Sequence, residues 1–129
     1  MIRTLLVAGA LVCAAGTAAA QTDAECRTAM EESAPQTLMN ICAARDAADA
    51  GERLDAVLAR MRRGLDAARW KALVRVQERW AEYRAAACEY EGDLYRGGSA
   101  QPFAIAVCYV RITEVRIREL KRASFELSL

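Results

Sequence analysis

The sequence predicts an all-α protein, a small antiparallel bundle of three main helices and a short N-terminal helix, cross-linked by two disulfides. Three observations lead to this prediction. The chain is rich in Ala, Arg, Glu and Leu, which favour helices, and it holds two prolines in 129 residues. Apolar residues recur every three or four positions in its long segments. Four cysteines follow an N-terminal export signal, an even number that is typical of a disulfide-bonded exported domain.

The N-terminal residues have the pattern of a secretory signal peptide. Arg3 supplies a positive charge, residues 5–15 are apolar, and three alanines before Gln21 form a small-residue cleavage site. The apolar stretch is shorter than the ~20 residues that a membrane-spanning helix needs. We therefore expect residues 1–20 to be removed and residues 21–129 to form one domain, in the periplasm or outside the cell.

A lipoprotein anchored through Cys13 is the alternative. Val12 stands directly before this cysteine, where a lipobox carries a small residue, so the anchored form fits the targeting signals less well. We expect no integral membrane segment after cleavage of the signal.

The charge of the expected mature chain bears on its partners. Arg3 is the only charged residue in the signal, so its removal leaves 17 basic residues against 17 acidic ones. A neutral domain offers no reason to expect nucleic acid or an anionic membrane surface as a partner.

A proline separates the first two predicted helices. Residues 22–34 should form a short helix, which Pro35 interrupts. A long helix is predicted at about 36–63, and Gly64 is a suitable C-terminal stop. Its apolar positions have helical spacing: Leu54, Val57, Leu58, Met61 and Leu65.

Two further helices complete the predicted bundle. Asp66 can cap a third helix at about 67–92, whose end is marked by Gly92. Residues 93–102 contain Gly, Ser and Pro and are predicted to form a loop. A last helix at about 102–123 has apolar residues at helical spacing: Phe103, Ala106, Val107, Val110, Ile117 and Leu120.

The turn at Leu65 suggests how the second and third helices face each other. A tight connection makes neighbouring helices antiparallel. The residue numbers of two positions that face each other across the turn should therefore sum to about 130. Cys42 then lies opposite Cys88, and Asp46 lies opposite Arg84. Because the last helix begins at the same end, the four cysteines should cluster at one pole of the bundle.

Cys26, Cys42, Cys88 and Cys108 allow three disulfide connectivities, and spacing alone leaves them open. We favour Cys26–Cys42 with Cys88–Cys108, because each of these bonds joins two consecutive helical segments and closes a short stretch of chain. Each would stabilise the fold by roughly 3 kcal/mol in the chain-entropy model. A zinc site fits less well, since the chain has no histidine and no Cys-x-x-Cys pair. We expect no cofactor.

Two spaced patterns run through the chain. Gln-x-x-Trp-x-x-Tyr-Arg-x-x-x-Cys spans residues 77–88, and Cys-x4-Thr-x-x-Arg-x3-Leu spans residues 108–120. With the other cysteines and a Gly-Gly-Ser loop, they resemble the lysozyme-inhibitor LprI-like N-terminal domain family. The matching positions are Cys26, Met39, Cys42, Leu54, Gln77, Trp80, Tyr83, Arg84, Cys88, Gly97, Gly98, Ser99, Cys108, Thr113, Arg116 and Leu120. The resemblance implies an exported, helical, disulfide-bonded protein whose partner is lysozyme or another glycan-cleaving enzyme.

One face of the third helix combines polar and aromatic residues. Gln77, Trp80, Arg84 and Cys88 fall within an arc of roughly 80°. A face this narrow is typical of the inner seam of a bundle, where Arg84 would pair with Asp46 or with Asp49 one turn along. The alternative is a cleft beside Trp80 and Arg84 that binds a small anionic or sugar ligand.

The last helix adds two residues to this seam. Thr113 and Arg116 lie three residues apart, and buried polar groups tend to belong to connected networks. The expected structural seam therefore consists of Asp46, Gln77, Trp80, Arg84, Thr113 and Arg116.

The loop Tyr95-Arg96-Gly97-Gly98-Ser99 is the candidate site for partner binding. Its two glycines permit positive φ angles and close backbone approach, and Ser99 is a candidate cap for the last helix. An exposed loop on a disulfide-braced bundle can present its side chains to the groove of an enzyme. The plain alternative is a connector without a binding role.

No residue pattern points to catalysis. The chain lacks histidine, the mature thiols are expected in disulfides, and the acidic residues are scattered over helix surfaces. We therefore expect a non-enzymatic envelope protein that blocks a peptidoglycan-cleaving enzyme through its exposed loop. The alternative function is a periplasmic structural or protein-interaction domain without inhibitory activity.

Overall fold

The computed structural model describes residues 18–31 and 34–126. Within this part of the chain four α-helices and one short 3-10 helix follow one another, and there is no strand. The elements are α1 (Ala18–Glu31), α2 (Gln36–Gly64), α3 (Ala67–Gly92), the 3-10 helix (Asp93–Tyr95) and α4 (Gln101–Glu126). The predicted all-α bundle is confirmed. The predicted signal peptide, including Cys13, lies almost entirely outside the described residues.

Local sequence signals explain where the helices begin and end. Pro35 occupies the position before α2, where its φ of −51° suits a helix start. α2 ends at Gly64, and the Leu65 amide bonds back to the Met61 carbonyl. The Asp66 carboxylate then accepts a 2.9 Å hydrogen bond from the Arg69 amide, as expected for the cap of α3.

The last long helix, α4, packs against both α2 and α3, whereas α2 and α3 contact each other much less. Two short connections make α3 antiparallel to α2 and α4, so α2 and α4 run parallel. The pairs Asn40–Ser99 and Arg53–Glu114 reflect this parallel register, since their separations in sequence are 59 and 61 residues.

The predicted ion pair between Asp46 and Arg84 is wrong. Asp46 is exposed and lies 3.8 Å from its neighbour Arg45, while Arg84 contacts residues of α4. The prediction treated α2 and α3 as the facing pair. The apolar face of α4 instead covers the inner faces of both helices, so α4 supplies the surroundings of Arg84.

The main core joins all three long helices. Leu54 and Met61 of α2 contact Ile117 and Leu120 of α4, and all four are at least 92 % buried. Trp80 of α3 packs against this cluster and also against the second cluster around Cys88. Truncating one such side chain to Ala typically costs 2–5 kcal/mol, so this core supplies much of the stability.

Two disulfides, Cys26–Cys42 and Cys88–Cys108, confirm the favoured connectivity. The Cα atoms are 5.4 Å apart in both, and the bonds close segments of 16 and 20 residues. The first fastens α1 to α2 and the second fastens α3 to α4. The Asn40–Ser99 contact shows that α2 and α4 both begin at the end of the bundle that carries the disulfides.

Across the described residues, we find no helix that combines the length and the apolar character needed to cross a membrane.

Candidate functional site

The interface between α3 and α4 is organised around Arg84. Its guanidinium lies 4.6 Å from the ring centroid of Trp80 and 4.7 Å from that of Tyr109. It also donates a 2.9 Å hydrogen bond to Oγ1 of Thr113, a residue that is 1 % exposed. Two aromatic faces and a hydroxyl therefore accommodate the cation, and the described residues place no carboxylate within ion-pair distance of it.

A second polar contact lies further along the same interface. Nε of Arg116 donates a 2.6 Å hydrogen bond to Oε1 of Gln77, and the guanidinium also contacts Glu119 at 3.1 Å. Arg111 of α4 pairs with Glu91 near the other end of α3. Together with the Cys88–Cys108 bond, these contacts set the register of α3 against α4.

The structure brings most of the expected seam together. Gln77, Trp80, Arg84, Thr113 and Arg116 all lie between α3 and α4, and Asp46 lies apart on the exposed side of α2. Because the Arg84 guanidinium stacks between two rings, its contacts are those of an interior packing residue.

A close approach at Gly92 positions the loop that follows α3. Gly92 is buried, and a Cβ added there would overlap Cγ1 of Ile105 and lie 2.9 Å from its Cδ1. Only a glycine lets the end of α3 come this near to α4 without moving Ile105. The base of the loop is thereby held one turn beyond the Cys88–Cys108 bond.

The loop itself contains a type II β-turn over Tyr95–Gly98. Arg96 has φ −51° and ψ 123°, Gly97 has φ +76°, and the Gly98 amide bonds to the Tyr95 carbonyl at 2.8 Å. This turn type requires a positive φ at its third position, which explains the glycine at 97. The loop therefore has a defined backbone conformation.

Side chains from two helices brace the loop. Nδ2 of Asn40 donates a 2.9 Å hydrogen bond to the Ser99 carbonyl, and Gln36 in turn donates to Oδ1 of Asn40 at 2.8 Å. Oε1 of Gln101 accepts from the Gly97 amide at 3.2 Å. The loop is thus tied to the first turns of both α2 and α4.

The predicted cap of α4 is wrong. The Ala100 carbonyl accepts the first bond of this helix, from the Ala104 amide at 3.1 Å, so Ala100 occupies the cap position and Ser99 precedes it. The loop meets the helix through the Gln101 side chain, which leaves the exposed Ser99 hydroxyl outside any cap.

The loop surface is exposed and chemically mixed. Tyr95 is 51 % exposed, and Leu94 before it is 81 % exposed. Arg96 pairs with Asp93; its hydrogen bond to this carboxylate and the attraction of the same charge raise its pKa above the ordinary value. The surface offers an aromatic ring, a cation and backbone groups, which suit binding.

Three further residues contribute to this surface that the sequence patterns did not single out. Tyr90 and Leu94 are four residues apart, exposed at 78 % and 81 %, and they extend the loop surface onto α3. A spacing of four residues places both on one face, which differs from the face that carries Cys88. This pattern is a signal that could have identified them. Asn40 had no such signal, because its contact with Ser99 spans 59 residues of sequence.

Comparison with known proteins agrees with this architecture. The family model described as "Lysozyme inhibitor LprI" matches residues 26–120, a range that contains both disulfides, the seam and the loop. The chain is also similar to uncharacterized protein R02472 of Rhizobium meliloti (strain 1021), with 36 % identity over 124 residues that cover 86 % of each chain. No solved structure matches the chain significantly. The family match covers most of the chain, and the chain therefore belongs to the lysozyme inhibitor LprI family.

Proposed function

We propose that this protein is exported to the cell envelope, where it binds a peptidoglycan-cleaving enzyme and blocks it through the exposed loop at 95–99. Membership of a family described as lysozyme inhibitors is the observation that carries this function. The expected removal of residues 1–20 and the two disulfides are consistent with an oxidising compartment outside the cytoplasm.

The loop has the properties that an inhibitory contact requires. It is exposed, and its turn and its bonds to Asn40 and Gln101 hold it in one conformation before a partner arrives. Such preorganisation reduces the entropy lost on binding. Glycoside-cleaving enzymes carry a pair of carboxylates in their clefts, which are suitable partners for the guanidinium of Arg96.

An assay of cell-wall lysis tests this proposal. We expect the oxidised protein to inhibit at least one lysozyme class, and the double variant Tyr95→Ala/Arg96→Ala to inhibit at least tenfold less, as loss of a central aromatic and a charged anchor predicts. Tyr83→Ala is the matched control, since Tyr83 is an exposed tyrosine of α3 outside the loop. Absence of inhibition at large molar excess across several lysozyme classes would refute the inhibitory function.

A protein-interaction role without inhibition is the second candidate, and the surface of α3 favours it. Val76, Tyr83 and Tyr90 recur at seven-residue intervals and are 52–78 % exposed, so they form an apolar stripe on one side of the helix. Exposed aromatic residues of this kind are enriched in protein interfaces. If Tyr83→Ala abolishes a partner complex that the loop variant retains, the second candidate replaces the first.

A further inference from the structure

A groove of about 740 Å³ lies between the second half of α2 and α4, away from the loop and the seam. Its floor is apolar and is formed by Val57, Met61, Leu65 and Ile117, of which Met61 and Ile117 are at least 92 % buried. This volume falls within the range of about 300–1,000 Å³ that is usual for small-molecule sites.

The described part of α1 leaves this stretch of α2 uncovered. α1 packs on the first half of α2, because Cys26 is bonded to Cys42 and Ala29 is buried beside this disulfide. At 100° per residue, Arg53 and Arg60 point within about 20° of the direction of Cys42, so they continue the face that α1 covers. Beyond α1, this face of α2 has no covering helix in the described part of the chain.

The charges along the groove are unbalanced. Arg53 of α2 and Glu114 of α4 form an ion pair across it. Arg60 and Lys121 each follow a member of this pair by seven residues, so in parallel helices they face each other about 10 Å further along. Among the described side chains neither has an acidic partner. The groove is therefore lined by a neutral ion pair at one point and by two positively charged side chains about 10 Å further along.

The dimensions favour a thin ligand. The groove runs from the Arg53–Glu114 pair to Gly64, a distance of eleven helical residues or about 16 Å. This length and the volume of about 740 Å³ accommodate a slender ligand in the groove. A single hydrocarbon chain fits within it.

We propose that this groove binds a free anionic amphiphile with one acyl chain. The chain lies on the apolar floor, and the anionic head bridges Arg60 and Lys121, whose mutual repulsion it removes. The inference is separate from inhibition of a glycan-cleaving enzyme, because it involves none of the loop residues.

Calorimetric titration of the oxidised protein with laurate below its critical micelle concentration tests this site. We expect one laurate per chain and at least tenfold weaker binding of the uncharged dodecyl maltoside and the cationic dodecyltrimethylammonium. The double variant Arg60→Glu/Lys121→Glu should weaken laurate binding at least tenfold, as loss of two charged contacts predicts. Lys71→Glu/Arg75→Glu is the matched control, because both residues are exposed on α3 outside the groove lining.

A second variant tests the apolar floor independently of charge. A Cβ added at Gly64 meets no heavy atom within 4 Å, so Gly64→Leu should narrow one end of the groove without disturbing the fold and should weaken laurate binding at least tenfold. Equal binding of the three amphiphiles, unchanged affinity in either groove variant, or binding to phosphatidylglycerol vesicles without binding to free laurate would overturn the proposal. Preferential binding of an acidic helical peptide, or a dimer that buries the groove and excludes laurate, would overturn it as well.

Discussion

Arg84 on α3 donates a hydrogen bond of 2.9 Å to Thr113 on α4, and this contact joins the two spaced sequence patterns at residues 77–88 and 108–120. One pattern supplies the cation and Trp80, and the other supplies the hydroxyl and follows Cys108. Read separately, each pattern resembles a set of reactive side chains. Together they form one packed polar contact between α3 and α4. This contact fixes the two helices that carry the ends of the loop.

Removing this contact should destabilise the protein. Arg84→Ala loses two aromatic contacts and leaves the buried Thr113 hydroxyl without its donor, so we expect the free energy of unfolding to fall by about 2–4 kcal/mol. Urea unfolding of the oxidised protein measures it, with the exposed Arg75→Ala as control. Arg84→Lys should recover only part of the loss, because an ammonium lacks the planar stacking surface. Equal stability of the Arg84→Ala and Arg75→Ala proteins would contradict a structural role.

Asp46 should be nearly neutral to substitution. It is exposed and its charged neighbour is Arg45, 3.8 Å away, so Asp46→Ala should change the free energy of unfolding by no more than about 0.5 kcal/mol. Combined with Arg84→Ala, its effect should simply add, since the two residues share no contact. A coupling energy above about 1 kcal/mol in the double-mutant cycle would support the direct α2–α3 pairing that the structure lacks.

Two glycines within helices should respond to alanine in opposite directions. Gly92→Ala places a methyl group against Ile105, and we expect a loss of about 1–3 kcal/mol from overpacking. At Gly51 an added Cβ meets nothing within 4 Å, so Gly51→Ala should stabilise the protein by about 0.5–1 kcal/mol. Thermal unfolding of both variants under identical conditions checks the pair. Similar midpoints for the two would show that α3 and α4 do not approach closely at Gly92.

Gly97 should control the conformation of the loop. Its φ of +76° is unfavourable for other residues by roughly 1–2 kcal/mol, so Gly97→Ala should open the turn and break the bond from the Gly98 amide to the Tyr95 carbonyl. We expect roughly tenfold faster hydrogen exchange at the Gly98 amide. Gly64→Ala, where φ is not positive, should leave that exchange rate unchanged. Unaltered exchange in the Gly97 variant would mean that the turn is not maintained in solution.

Several elements could be predicted because their causes are local. Pro35, Gly64, Asp66 and Gly92 mark helix ends through backbone geometry and capping, which act within a few residues. The order of the helices favoured the observed disulfide pairing among three connectivities, because each bond joins consecutive segments. The positions of the seam residues on their own helices followed from the helical repeat in the same way.

The partners of those residues depended on which helices pack together. A register derived from one turn assigned Arg84 to Asp46, but burial of Ile112, Ile117 and Leu120 draws α4 against the other helices. The bond from Asn40 to Ser99 and the shared groove of the cations Arg60 and Lys121 likewise arise between segments about sixty residues apart. The sequence by itself determined the helices and their ends, since these follow from local geometry, and chain order favoured one disulfide pairing among three. Only the tertiary structure decided the partner of Arg84, the bracing of the loop and the open groove, because these depend on how much apolar surface each helix pair can bury.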